Sequence, residues 1–287
     1  MLRFALFLVA ILGYLQVTSS LAIESRGTTT RSCAARPSGL WKPSPGTTWD
    51  YQLSHPITSA SSLNTSLKVW DVDVFDNNAT TIQAIQSLGL KVICYFSAGS
   101  YEDWRPDASS FDAADLGSDL DGWPGERWLN VSSPAVRTIM DARLDLAVRK
   151  GCDGVDPDNI DGYENDNGLN LTQDDAVDFV LYLANQAHSR NLSVGLKNGG
   201  AILPDVIDCM DWSVNEQCVE YNECDVYAPF IKQNKPVFHV EYPKGDDVNN
   251  NDDVSESTKE YICGDASASG FSTILKNIDL DSWIETC

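Results

Sequence analysis

The chain has 287 residues, with 42 acidic against 20 basic side chains and a formal charge of −22 at pH 7. Such a field repels nucleic acid and anionic membrane surfaces and attracts cationic ligands, so no nucleic acid is expected as a partner. The length is ample for one sizeable core and suits a barrel of ~250 residues.

The first segment reads as a targeting signal. Arg3 opens it, Phe4 to Tyr14 are apolar, and Ser20-Leu21-Ala22 offers a small-x-small cleavage site, so residues 1–22 are expected to be a secretory signal peptide. The apolar run is short for the alternative, an N-terminal membrane anchor. No later stretch reaches the length of a membrane span, and Trp283-Ile284-Glu285-Thr286-Cys287 carries no lipid-anchor tail. The expectation is a secreted, extracellular monomer. Sequons at Asn64, Asn78, Asn130, Asn170 and Asn191 agree with secretion and N-glycosylation. Eight cysteines fit an oxidising compartment. Connectivity stays open: Cys33 and Cys287 could tie the termini, Cys209, Cys218, Cys224 and Cys263 crowd the C-terminal third, and Cys94 could be a buried free thiol.

Residues 23–45 read as a loose extension and residues 46–287 as the folded body. Strands are predicted over 48–53, 67–75, 91–96, 154–156, 193–196, 212–214 and 236–240, and helices over 78–88, 134–150, 172–190 and 258–269. Pro134 after Ser132-Ser133 is a helix start, and Thr172-x-x-Asp175 resembles a capping box with Asp in place of Glu or Gln. The strand–helix alternation argues for parallel strands with crossover helices. No Gly-x-Gly-x-x-Gly or Walker-type lysine loop supports an open nucleotide-binding sheet. Acids and aromatics just after many different strands suit a closed barrel, whose site collects residues from several strand ends. The predicted fold class is therefore α/β, a single (β/α)8 TIM-type barrel stabilised by disulfides.

The densest chemistry follows Gly151, where Asp153, Asp156, Asp158 and Asp161 fall within nine residues. Other predicted strand ends carry Trp70, Asp73, Tyr95, Lys197, Asn198, Glu216, Glu241 and Tyr242. Acids, amides and aromatic platforms are the chemistry of sugar recognition and glycosidic cleavage. Cleavage needs two carboxyl groups, one to donate a proton and one to act as nucleophile or base. Asp158 and Glu216 end different predicted strands, so they could face each other across a cleft.

The phrases Val72-Asp73-Val74-Phe75-Asp76, Val92-Ile93-Cys94-Tyr95-Phe96-Ser97-Ala98-Gly99, Gly154-Val155-Asp156-Pro157-Asp158-Asn159-Ile160-Asp161-Gly162-Tyr163 and Asn215-Glu216-Gln217-Cys218 resemble glycoside hydrolase family 114. The resemblance runs from about Trp41 to the C-terminus. It implies a (β/α)8 barrel and endo-cleavage of partly deacetylated α-1,4-galactosamine chains such as galactosaminogalactan, a cationic polysaccharide partner that suits the acidic surface. By position it makes Asp158 and Glu216 the catalytic pair. Analogy with other retaining α-glycosidase barrels makes Asp158 the nucleophile and Glu216 the acid/base. Asp73, Tyr95, Asn159, Lys197, Asn198, Glu241, Tyr242 and Trp70 are the expected substrate contacts, with no cofactor and no metal.

Blander roles stand beside these. Asp158 could be a turn or cap acid, and Glu216 could decorate a disulfide loop beside Cys218. Asp156 and Asp161 suit capping or supporting roles. Asp73 could be hydrogen-bonded in the barrel floor, Trp70 and Tyr95 could be core, and Lys197 could pair with an acid of the site or sit in a structural salt bridge. Two rival functions remain, a non-catalytic carbohydrate-binding barrel and a metal-assisted phosphodiesterase. The acid cluster does not match a calcium loop, because aligning Gly162 with the required glycine puts Pro157 and Gly168 at ligand positions. His55, His188 and His239 are too scattered for a zinc pattern.

Overall fold

Among the described residues, eight parallel strands follow one another around an interior in chain order. They come from a computed structural model that describes residues 32–245 and 248–287, so the expected signal peptide lies outside the described residues. Strands β1 (Trp49–Gln52), β2 (Val69–Asp73) and β3 (Lys91–Ser97) open the barrel, with helix α1 (Ala79–Ser87) between the last two. An inserted antiparallel sheet follows: β4 (Ser100–Glu102), β5 (Leu116–Asp119) and β6 (Glu126–Leu129), in the order β4-β6-β5. The barrel resumes with α2 (Pro134–Lys150), β7 (Gly154–Asp158), α3 (Gln173–Ser189), β8 (Ser193–Lys197), α4 (Leu203–Val206), β9 (Trp212–Glu216), α5 (Ala228–Lys232), β10 (Val237–Glu241), α6 (Glu256–Cys263) and β11 (Ser272–Lys276). Successive barrel strands pair in parallel, and β12 (Ile284–Thr286) runs antiparallel beside β11. Side chains bridge the seam between β11 and β1. The Trp49 indole donates to the Ser272 carbonyl at 2.7 Å, and Lys276 Nζ lies 2.8 Å from the Asp50 carboxylate.

Local chemistry accounts for the helices that position the later strands. Pro134 occupies the first turn of α2, where its missing N–H costs nothing, and Gly151 ends that helix in the left-handed region at φ 84°. In α3 the Thr172 and Asp175 side chains satisfy each other's backbone N–H groups, so Asp serves in the capping box. Helix α6 stops at Cys263, short of the predicted residue 269, because Gly264 and a separate turn over Ala266–Ala268 interrupt it.

Alternation along each strand divides two cores. Val72, Val92, Cys94, Val155 and Leu196 face outward onto helix residues such as Ile85, Leu144, Phe179 and Leu183. Trp49, Tyr51, Val69, Ile93, Trp212 and Phe238 fill the interior. The floor of the barrel is built around Trp212. A Cβ at Gly195 would lie 2.1 Å from its indole nitrogen, and one at Gly154 would lie 2.5 Å from its ring, so two strands carry glycine where this one carries its largest side chain. The segment before β1 packs across the same end, where the Trp41 ring lies 5.6 Å from that of Trp212 and its carbonyl accepts a hydrogen bond from Ser193.

Four disulfides link Cys33–Cys209, Cys94–Cys152, Cys218–Cys224 and Cys263–Cys287. The termini are therefore not tied to each other, and Cys94 is not a free thiol. Its partner Cys152 stands just before β7, the neighbour of the strand that carries Cys94. The short strands β4, β5, β6 and β11 escaped prediction because three to five mixed residues carry little period-2 signal.

Candidate active site

Asp158, Lys197 and Glu216 are the last residues of three adjacent strands, β7, β8 and β9. Lys197 stands between the two acids. Its Nζ lies 3.1 Å from Asp158 Oδ1 and 2.7 Å from Glu216 Oε2, and its side chain is almost wholly buried. The residue after each of the three, Asn159 (φ 59°), Asn198 (φ 48°) and Gln217 (φ 62°), adopts the left-handed region. Asparagine tolerates that conformation through local hydrogen bonds, and here those bonds hold the acids. The Asn159 N–H donates to Asp158 Oδ1 at 2.7 Å, while Asn198 Nδ2 donates to Glu216 Oε2 at 3.0 Å and Asn198 Oδ1 accepts from the Glu216 N–H at 2.9 Å.

Two tyrosines complete the cradle. Tyr95 donates to Asp158 Oδ2 at 3.0 Å and Tyr242 to Glu216 Oε1 at 2.5 Å. Burial and the neighbouring carboxylates hold the hydroxyls of Tyr51, Tyr95 and Tyr242 well above the ordinary tyrosine value, so all three stay protonated. For Glu216, burial works toward protonation, but the Lys197 ammonium and the donors around it outweigh burial and hold the carboxyl below its usual range. Lys197 shows the converse. Burial disfavours its charge, and Asp158 and Glu216 more than restore it.

Around this group opens a cleft of about 460 Å³. Its lining includes Asp73, Asp76, Glu102, Glu126, Asp161 and Asp279 besides the two central acids, while Arg105 and Lys197 are the bases among the lining residues. A second groove of about 530 Å³, lined by Glu164, Tyr221 and Glu223, adjoins it and shares Asp161, Asn198 and Glu216. Asp73 accepts from the backbone N–H of Phe75 and Asp76 at 2.7 and 2.9 Å and from Arg105 at 2.6 Å. Burial pushes Glu126 up to about 7 and Asp161 up to about 6.

One layer below, Asp71 and Asp156 point into the barrel and are fully buried. None of their four oxygens receives a donor from any other group among the described residues. Burial, joined by the neighbouring carboxylates and only partly offset by the Lys197 ammonium, pushes Asp156 up to about 8 and Asp71 well above its ordinary value, and the two carboxyls meet each other. Two bare carboxylates in contact without donors would be prohibitively unfavourable, so the pair holds a proton between them.

Of the expected contacts, Asp73, Tyr95, Asn159, Lys197, Asn198 and Tyr242 line this cleft with Asp158 and Glu216. Trp70 and Glu241 are not brought there. Trp70 belongs to the outward-facing core, and Glu241 accepts from His239 at 2.7 Å and from the Val219 N–H at 2.7 Å. Sequence reasoning missed Tyr51, whose buried hydroxyl borders the cleft without a protein partner among the described residues. Its ring lies 5.7 Å from Lys197 Nζ. The signal available for it was its place on the Trp49 face of the first strand.

Known proteins resemble the chain at each of these levels. The model of glycoside-hydrolase family GH114 matches residues 30–287. The crystal structure of Aspergillus fumigatus Ega3 in complex with galactosamine is 55% identical, covers 88% of this chain and 100% of its own, and superposes with a TM-score of 0.85. The glycoside hydrolase domain of PelA from Pseudomonas aeruginosa is 12% identical, covering 84% of this chain and 98% of its own at a TM-score of 0.63, a likeness of fold. An uncharacterised protein of Deinococcus radiodurans is 26% identical over 220 residues, 68% of this chain and 71% of its own length.

Proposed function

Because the chain belongs to glycoside-hydrolase family GH114, we propose that it cleaves α-1,4-linked galactosamine polymers internally, with Asp158 as nucleophile and Glu216 as acid/base. The observation that carries the pairing is the shared contact with Lys197. The two carboxylate oxygens it touches can be no farther apart than 3.1 and 2.7 Å laid end to end. Retaining glycosidases hold their carboxyls ~5–5.5 Å apart and inverting ones ~6.5–9.5 Å, so the contact favours retention.

In this reading Asp158 attacks the anomeric carbon while Glu216 gives a proton to the departing glycosidic oxygen. Water then attacks the glycosyl–Asp158 ester as Glu216 takes a proton from it, freeing Asp158. Lys197 keeps Glu216 ionised in the free protein, which suits the second half of the cycle. The first half requires Glu216 to gain a proton as substrate enters.

The galactosamine bound by the 55%-identical Ega3 supports an amino-sugar substrate. The excess of acids along the cleft supports a cationic, partly de-N-acetylated chain. The adjoining groove on the Glu216 side supports binding of an internal stretch. A secreted monomer is the matching setting. Four disulfides accord with an oxidising compartment, and no helix among the described residues is long and apolar enough to cross a membrane. The Lys197 ammonium occupies the position between Asp158 and Glu216 where a divalent ion would sit, which weighs against the phosphodiesterase reading.

The test is release of reducing ends from partly de-N-acetylated α-1,4-galactosamine polymer. Mixed oligosaccharides are expected early, with loss of activity in Asp158→Asn. A wild-type protein that binds this polymer but does not cut it would sink the catalytic reading and leave the carbohydrate-binding module.

A further inference from the structure

Tryptophan is costly to leave in water, and Trp49, Trp70, Trp128, Trp212 and Trp283 are buried. Trp104 and Trp123 are each 54% exposed. Both stand on the inserted sheet region between β3 and α2, and both line the cleft that contains Asp158. The barrel strands pair without this insertion, so its two exposed indoles serve neither barrel closure nor the interior core.

The local structure holds them in place without consuming their faces. Trp123 sits in the turn between β5 and β6, where its backbone takes part in the closure: its N–H donates to the Leu120 carbonyl at 3.2 Å, and its carbonyl accepts from the Glu126 N–H at 3.1 Å. Trp104 lies against Gly125, where a Cβ would come within 3.0 Å of its ring, so the turn closes onto one part of the indole and leaves the rest exposed. The chain just beyond Trp104 is anchored by Arg105, whose guanidinium bonds Asp73 at 2.6 Å and Glu102 at 2.8 Å.

We propose that Trp104 and Trp123 form a sugar-stacking wall of the main cleft, binding pyranose units of the substrate chain outside the groove that adjoins Glu216. An indole face matches the C–H face of a pyranose ring, and it attracts an ammonium group through the ring quadrupole. A glucosamine-like or galactosamine-like unit offers both. The inserted sheet is thus a specificity element that adds chain-binding length to a barrel already equipped for chemistry. This wall rests on the polysaccharide-hydrolase reading above.

The test compares wild type with Trp104→Ala, Trp123→Ala, Trp123→Phe and Trp123→Leu on de-N-acetylated galactosamine polymer, with circular dichroism confirming the fold. Each alanine variant is expected to raise KM about threefold to tenfold with kcat changed less than about twofold, as loss of one exposed aromatic contact predicts. Trp123→Phe should recover most of the loss and Trp123→Leu little, because leucine keeps apolar bulk without an aromatic face. Unchanged KM in both alanine variants, or equal recovery by leucine and phenylalanine, overturns the wall. A second readout separates this from the reaction itself: galactosamine oligosaccharides should quench wild-type tryptophan fluorescence saturably, and less in the double alanine variant. If the polymer is never cut but quenching follows this pattern, the catalytic reading fails and the wall stands. If the polymer is cut and quenching is identical in the double variant, the wall fails alone.

Discussion

Lys197 and Glu216 form an ion pair at 2.7 Å in which the lysine is almost wholly buried and its charge is shared with Asp158. That sharing sets the protonation state of the cleft. In Lys197→Met, burial would act on Glu216 opposed only by the Tyr242 and Asn198 donors, and its pKa should rise. The Glu216-linked limb of the kcat/KM profile should move to higher pH, and kcat/KM should fall about 10²–10³-fold, the scale for removing a preorganised electrostatic group. A pH profile that keeps its shape in the variant would show that Lys197 does not tune Glu216.

The two carboxylates should be separable by leaving group. General acid catalysis is worth about 10²–10⁴-fold, and a substrate whose leaving group departs without a proton does not need it. Glu216→Gln should therefore lose much more activity on the polymer than on an aryl glycoside of galactosamine. Asp158→Asn should be crippled on both. Equal losses for both variants on both substrates would contradict the assignment of roles.

The proton shared by Asp71 and Asp156 predicts an unusual stability profile. An unfolded aspartate titrates near ~3.9 and folded Asp156 at about 8, so the folded state binds the extra proton between those values. The contribution to stability is fully present below the lower value and is lost as pH rises through the upper one. Asp156→Asn keeps an amide donor for Asp71 and removes the titration. Denaturant midpoints of the wild type should fall from about pH 5 to about pH 8.5, and those of the variant should stay flatter. Parallel curves across that window would exclude the shared proton.

Packing at the barrel floor allows a fourth prediction. Gly195→Ala would bring a methyl group to 2.1 Å from the Trp212 indole nitrogen. Overpacking of this kind costs about 1–3 kcal/mol, so the melting temperature should drop by several degrees. Adding Trp212→Phe should recover part of the loss, because a smaller ring frees the space. If the double variant is no more stable than the sum of its parts, the two positions are not coupled as the geometry requires.

Much of this protein was written into local sequence. The α2 and α3 boundaries follow from Pro134, Gly151 and the Thr172–Asp175 exchange, which are contacts between near neighbours. Asp158 and Glu216 were legible because acids placed directly after buried strands end at one mouth of a parallel barrel. The family resemblance supplied their pairing. Trp70 and Glu241 were misjudged as substrate contacts for a single reason: strand side chains alternate, so each is the neighbour of a residue that does face the interior. Which parity turns inward is set by barrel closure. The disulfide partners, the placement of Lys197 between two acids from flanking strands, and the exposure of Trp104 and Trp123 over the cleft depend on the same closure. Each joins residues far apart in the chain, and their relative positions exist only once the strands have paired.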